Sequence, residues 1–113
     1  MIESILIDQL KTETGHDAFV MVPDDMPGEF YIIDRTATSQ ANHIVTVNCA
    51  VQSYAKSAAR AAEMAEQAVA CLEALADRDD FSKCEMYNLY MFTDTVRKRP
   101  RYQAMFEIIY YED

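Results

Sequence analysis

The stretch from Ser53 to Asp77 reads SYAKSAARAAEMAEQAVACLEALAD and contains neither glycine nor proline. Lys56, Arg60, Glu63, Gln67, Glu73 and Asp77 fall on one stripe, and Tyr54, Ala58, Ala61, Ala65, Ala68, Leu72 and Leu75 on the other. That spacing describes a single long amphipathic helix. Ser53 can cap its start, and the charged run Asp77-Arg78-Asp79-Asp80 marks its end. A second row of Ala55, Ala59, Ala62, Val69 and Ala76 widens the apolar side. The face at Ala58, Ala61, Ala65 and Ala68 carries so little that the backbone can lie very close to whatever it covers. Alanines cannot move a proton, hold a metal or attack a substrate, so this face speaks of packing and assembly and weighs against an enzyme.

Working outward from the helix, Ile2, Ile5, Leu6 and Leu10 recur at helical steps and Gly15 stands where a helix would stop, which predicts a short N-terminal helix. Ala18 to Pro23 and Glu29 to Arg35 are apolar runs on either side of Pro23-Asp24-Asp25-Met26-Pro27-Gly28, the composition of a turn, and together they predict a hairpin. Thr36 to Asn42 is small and polar and reads as a loop. His43 to Val51 then alternates, with Val45, Val47, Cys49 and Val51 on one face, and predicts a third strand. After the long helix, Cys84 to Phe92 and Arg101 to Tyr111 are aromatic and β-branched and predict a closing antiparallel pair. The order predicts one domain over 1–113 of the α+β class, an antiparallel-rich sheet of about five strands with the long Ala-rich helix and the short N-terminal helix packed on it. The last strand is apolar on both sides, with Tyr102, Ala104, Phe106, Ile108 and Tyr110 on one and Met105, Ile109 and Tyr111 on the other. One long helix covers only one face, so the second face falls to the N-terminal helix or to a neighbouring subunit.

A net charge of −9 on 113 residues argues against a general binder of nucleic acid or of anionic membranes, because both demand a basic surface. No segment approaches the eighteen or more apolar residues of a spanning helix, and the expectation is a soluble chain made in the cytoplasm. Cys49, Cys71 and Cys84 are far apart and read as reduced, buried, small hydrophobes. His16 and His43 have no partner at a ligand-like spacing, which gives no metal. A Cys49 and His43 nucleophile pair would be separated by about 20 Å of strand, far beyond proton transfer. Asp24 and Asp25 are explained by turn chemistry, and Asp77, Asp79 and Asp80 do not match a calcium loop. With Gly15 and Gly28 as the only glycines, a phosphate-cradling loop is excluded, and no cofactor is expected.

One segment contradicts the overall acidity. Arg97, Lys98, Arg99 and Arg101 cluster in the expected loop between the last two strands. Mutually repelling cations form a solvated tip, or they meet an acidic surface such as the Asp24-Asp25 turn of an identical subunit. Asp24, Asp25, Arg97, Lys98, Arg99 and Arg101 are therefore the candidate subunit or tube interface.

The Phe19-Val20-Met21-Val22-Pro23 run, the Phe30-Tyr31-Ile32-Ile33-Asp34-Arg35-Thr36 run, and Val45 to Tyr54 leading through Val51-Gln52-Ser53-Tyr54-Ala55-Lys56-Ser57 into the Ala-rich helix form an ordered pattern. Pro100-Arg101-Tyr102 opens its last strand. This pattern resembles the tail terminator, or tail completion, proteins of long-tailed bacteriophages and prophages, over nearly the whole chain and without any catalytic signature. Family members tend to show glycines after the position of Arg35-Thr36, where this chain has Ala37-Thr38-Ser39. The resemblance implies a structural assembly protein and no enzyme: a ring, usually of six subunits, that caps the finished tail tube, stops its polymerisation and offers the head-joining surface. It implies as partners further copies of the chain, with the ring forming free or only on the tube, the tail tube protein and the head-tail connector. It implies the host cytoplasm during assembly and then the virion tail, with DNA only passing through the ring. An acidic lumen suits that passage, because it repels DNA and lets it slide. The alternatives are another head-tail connector or neck protein, or a small cytosolic ligand-binding α+β domain with a cavity between helix and sheet.

Overall fold

The computed structural model describes residues 2–112. The chain folds as α1 (Ile2–Thr14), β1 (Ala18–Phe19), β2 (Phe30–Ala41), β3 (Ile44–Tyr54), α2 (Ala58–Glu73), a 3₁₀ turn (Ala74–Asp77), β4 (Phe81–Met91) and β5 (Arg101–Tyr111). The five strands form one sheet in the order β1-β2-β3-β5-β4, with β1 parallel to β2 and every other neighbour antiparallel. This is the expected α+β class with a mostly antiparallel sheet.

β3 is the hub, since it pairs along its whole length with β2 on one side and β5 on the other. The registers put Val45, Val47, Cys49 and Val51 of β3 beside Tyr110, Ile108, Phe106 and Ala104 of β5. These join Ile2, Leu6 and Leu10 of α1 and Ala61, Met64, Ala68 and Leu72 of α2 in one buried core. The Tyr31 hydroxyl donates to the Met64 carbonyl at 2.8 Å. A strand side chain reaches the helix backbone there because Ala61, Ala65 and Ala68 keep the approach short; all three are fully buried.

Three expectations are corrected. The long helix begins at Ala58 and not at Ser53, and its cap is Ser57, whose hydroxyl accepts from the Arg60 N–H at 3.1 Å. Ser53 and Tyr54 instead complete β3, because strand pairing on both sides and the Tyr54 ring stacked on Phe30, with centroids 4.6 Å apart, outweigh helix propensity. Ala58, in the first turn, is exposed and does not belong to the close-packed face. The hairpin between Ala18–Pro23 and Glu29–Arg35 does not form: β1 has two residues and lies parallel to β2. Val22 and Met26 of the intervening loop pack instead against Phe30, Ile32 and Tyr54.

The third correction concerns Thr36 to Asn42, which is strand and not loop up to Ala41. β2 turns into β3 through Asn42 and His43 alone, at φ of 53° and 66°. Two left-handed residues make the tight hairpin turn whose twist matches its strands, and Asn and His tolerate that region better than most residues. The cover of the second face, which the sequence leaves open between α1 and a neighbouring subunit, is not α1. That helix lies beside α2 on the same face, tied to it by the Gln9 amide donating to the Cys71 carbonyl at 3.0 Å.

Candidate functional site

Both helices cover one face; on the other the loop after β1 packs over Phe30, Ile32 and Tyr54, Ala50 and Gln103 are buried, and the remaining side chains are at least partly exposed. Ile44, Thr46, Asn48, Ala50 and Gln52 of β3 lie there beside Tyr111, Ile109, Glu107, Met105 and Gln103 of β5. β4 adds Lys83, Glu85 and Asn88. Lys83 Nζ and Glu107 Oε1 form an ion pair at 2.6 Å, on the rim of a shallow depression of about 240 Å³ lined also by Asn48, Glu85 and Tyr87. Ile44 and Tyr111, opposite one another in register, are 42% and 52% exposed. The face is mixed in character, with apolar residues between polar ones.

At one end of this face the predicted basic segment meets the turn after β1. Arg99 stands over the Phe30 ring at 5.9 Å and donates to the carbonyls of Gly28 at 2.7 Å and Pro27 at 3.2 Å. Arg101 lies over the rings of Phe92, at 4.3 Å, and Tyr54, at 5.5 Å, and donates to the Phe92 carbonyl at 2.6 Å and the Tyr54 hydroxyl at 3.0 Å. Arg97 pairs with Asp94 Oδ2 at 3.1 Å. The four cations therefore do not crowd one solvated tip: three are held by rings, carbonyls and a carboxylate of their own chain. Lys98 is exposed and takes a left-handed φ of 56°. Asp24 and Asp25 are exposed in the neighbouring turn. The structure thus brings the basic loop and the acidic turn together within one subunit, through Arg99 and the carbonyls of Pro27 and Gly28.

Asp94, which no sequence signal marked, anchors this end. Asp94 is 3% exposed, and its carboxylate accepts from the Tyr54 hydroxyl at 2.8 Å, the Arg97 N–H at 3.0 Å and the Arg97 guanidinium. Burial pushes its pKa up, but those hydrogen bonds and nearby Arg101 outweigh burial and leave it below the usual carboxylate range.

Other titratable side chains tie elements of the chain together. His16 Nε2 lies 2.9 Å from Glu29 Oε1, and Arg60 donates to both Glu29 oxygens at 2.7 and 3.1 Å. His16 Nδ1 is buried without a hydrogen-bond partner. This trio ties the end of α1, the start of β2 and the start of α2. Burial raises the thiols of Cys49 and Cys84 to about 12 and that of Cys71 to about 11, the opposite of an activated nucleophile. Among the described residues, no three His, Cys, Asp or Glu side chains group to hold a metal ion, and no helix is long and apolar enough to cross a membrane.

No protein-family model matches the chain, and no curated protein does. The functional reading therefore rests on the residues and their placement.

Proposed function

We propose that this chain is a structural subunit of a phage or prophage tail, acting as tail terminators do: a ring of copies that caps the tail tube, ends its growth and presents the surface on which the head docks. The observation that carries the reading is the one-sided architecture, in which both helices pack on one face and leave the other face of the sheet to meet a partner. A sheet face with partly exposed Ile44 and Tyr111 beside Met105 and Ile109 suits a broad protein contact better than a small ligand. The excess of acid, −9 overall, suits a lumen through which DNA slides. The resemblance in the order of elements noted above supplies the tail as the setting.

The test is polymerisation of the tail tube protein encoded beside this gene, with and without the chain. The reading predicts shorter tubes with extra density at one end, seen by electron microscopy. Tubes of unchanged length with bare ends would overturn it.

A further inference from the structure

The sheet has two open edges, β4 on one side and on the other the length of β2 that the two-residue β1 leaves uncovered, and they are finished differently. On β4 the Met86 N–H is taken by the Glu73 carboxylate at 3.1 Å, the register shifts on passing Ser82 and again Tyr87, and Lys83 and Glu85 place charge along the strand. These are the devices by which native sheets blunt an edge. β1 covers β2 only at Tyr31 and Ile32. Past a register shift at Thr36, β2 runs Ala37-Thr38-Ser39-Gln40-Ala41 with no charge and no proline, and all of these residues are exposed.

The hairpin dictates which backbone groups on that strip are free. A two-residue turn makes Ala41 and Ile44 the closing hydrogen-bonded pair, and alternation gives the same role to Ser39 with Thr46. Gln40 and Thr38, opposite Val45 and Val47, therefore direct their N–H and C=O groups away from β3. Tyr31, further down the same strand, shows the outward direction in use, since its N–H donates to the Asp17 carbonyl at 3.0 Å.

We infer that this edge pairs with the same edge of a second copy, antiparallel about a two-fold axis at Ser39. Thr38 and Gln40 then exchange backbone hydrogen bonds with the partner's Gln40 and the partner's Thr38, continuing one sheet through both protomers. Ser39 faces the partner's Ser39, and Ala37 the partner's Ala41. Each pair is small and uncharged, so the strip is complementary to itself, as a two-fold contact requires, and it opposes no like charges on a chain of net charge −9. So short a strip buries less than the roughly 1,000 Å² of a stable interface, so the dimer is a weak one that appears as concentration rises. The inference goes beyond the tail reading and does not depend on it, because it is measured on the chain alone, without tube protein.

The experiment is solution mass by light scattering over a concentration series, for the parent and for Thr38→Pro, with oxidative cross-linking of Ser39→Cys and Ala37→Cys. Thr38→Pro removes an N–H that the native ladder does not use, so the variant stays folded, as thermal unfolding would verify. Should it unfold, Thr38→Lys with Gln40→Lys, which opposes cations across the axis, replaces it. The expected result is a parent mass rising from one chain toward two and a Thr38→Pro mass fixed at one. Ser39→Cys should form a covalent dimer, because its non-hydrogen-bonded position sets Cα atoms about 4.5 Å apart, within disulfide range. Ala37→Cys, and the parent with only its native thiols, should form far less. A parent that stays at one chain throughout, a dimer that survives Thr38→Pro, or equal cross-linking of Ser39→Cys and Ala37→Cys would each overturn the inference.

Discussion

At the scale of single residues, Asp94 ties three parts of the chain to one carboxylate: the end of β3 through the Tyr54 hydroxyl, its own turn through Arg97, and the start of β5 through nearby Arg101. Asp94→Ala leaves the buried Tyr54 hydroxyl and the N–H and guanidinium of Arg97 without their acceptor, and we expect a loss of about 2 to 3 kcal/mol in chemical denaturation. A loss under about 0.5 kcal/mol would show that the network contributes little. Glu29 makes a prediction in pH. Hydrogen bonds from Arg60 and then His16 hold its pKa at about 2 against an ordinary 4.5. A depressed carboxyl contributes stability that is fully present above about pH 4.5 and is lost as pH falls toward 2. Thermal unfolding of Glu29→Gln should therefore depend less on pH across that window than the parent does. Matching slopes would contradict the assignment.

At the scale of elements, the alanine face separates by position. Ala61→Leu or Ala65→Leu inserts bulk where the backbone is held against the sheet, and overpacking should cost about 1 to 3 kcal/mol. Ala58→Leu, in the exposed first turn, should stay within about 0.5 kcal/mol. Equal effects at Ala58 and Ala61 in denaturant titration would mean that the helix seats differently. The helix itself was legible from its 3.6-residue period, β3 from its alternation and β5 from its run of aromatic and β-branched residues. Its start was not, because Ser53 and Ser57 can both cap, and the choice is made by Tyr54 stacking on Phe30, a contact between residues 24 positions apart in sequence. The outer half of β2 was illegible for a related reason. Asp34 to Ala41 is exposed on both faces and therefore carries no hydrophobic alternation, and its strand is imposed by pairing with β3 through the Asn42–His43 turn. The site was partly legible. The basic loop and acidic turn were visible as charge, but Asp94, which organises the basic loop, is one ordinary loop acid until the fold encloses it.

At the scale of the whole molecule, the placement of both helices on one face makes the two sides of β5 chemically distinct. Ile108→Lys puts a charge into the core and should unfold the chain, whereas Met105→Lys, one face over, should leave thermal stability within a few degrees of the parent and abolish tube-end binding. Tube binding by a folded Met105→Lys would move the contact elsewhere on the surface. The basic loop bears on the same question. Because Arg97, Arg99 and Arg101 already hold their own chain together, reversing all of them would confound folding with docking, and Lys98→Glu is the clean probe of a contact there.

The proposal that the chain is an assembly subunit whose partner is the tail tube calls first for light scattering of the chain mixed with the tube protein encoded beside it, at several concentrations. The expected result is a complex holding several copies of the chain, of a mass that neither protein reaches alone. A chain whose mass is the same with and without the tube protein would contradict it.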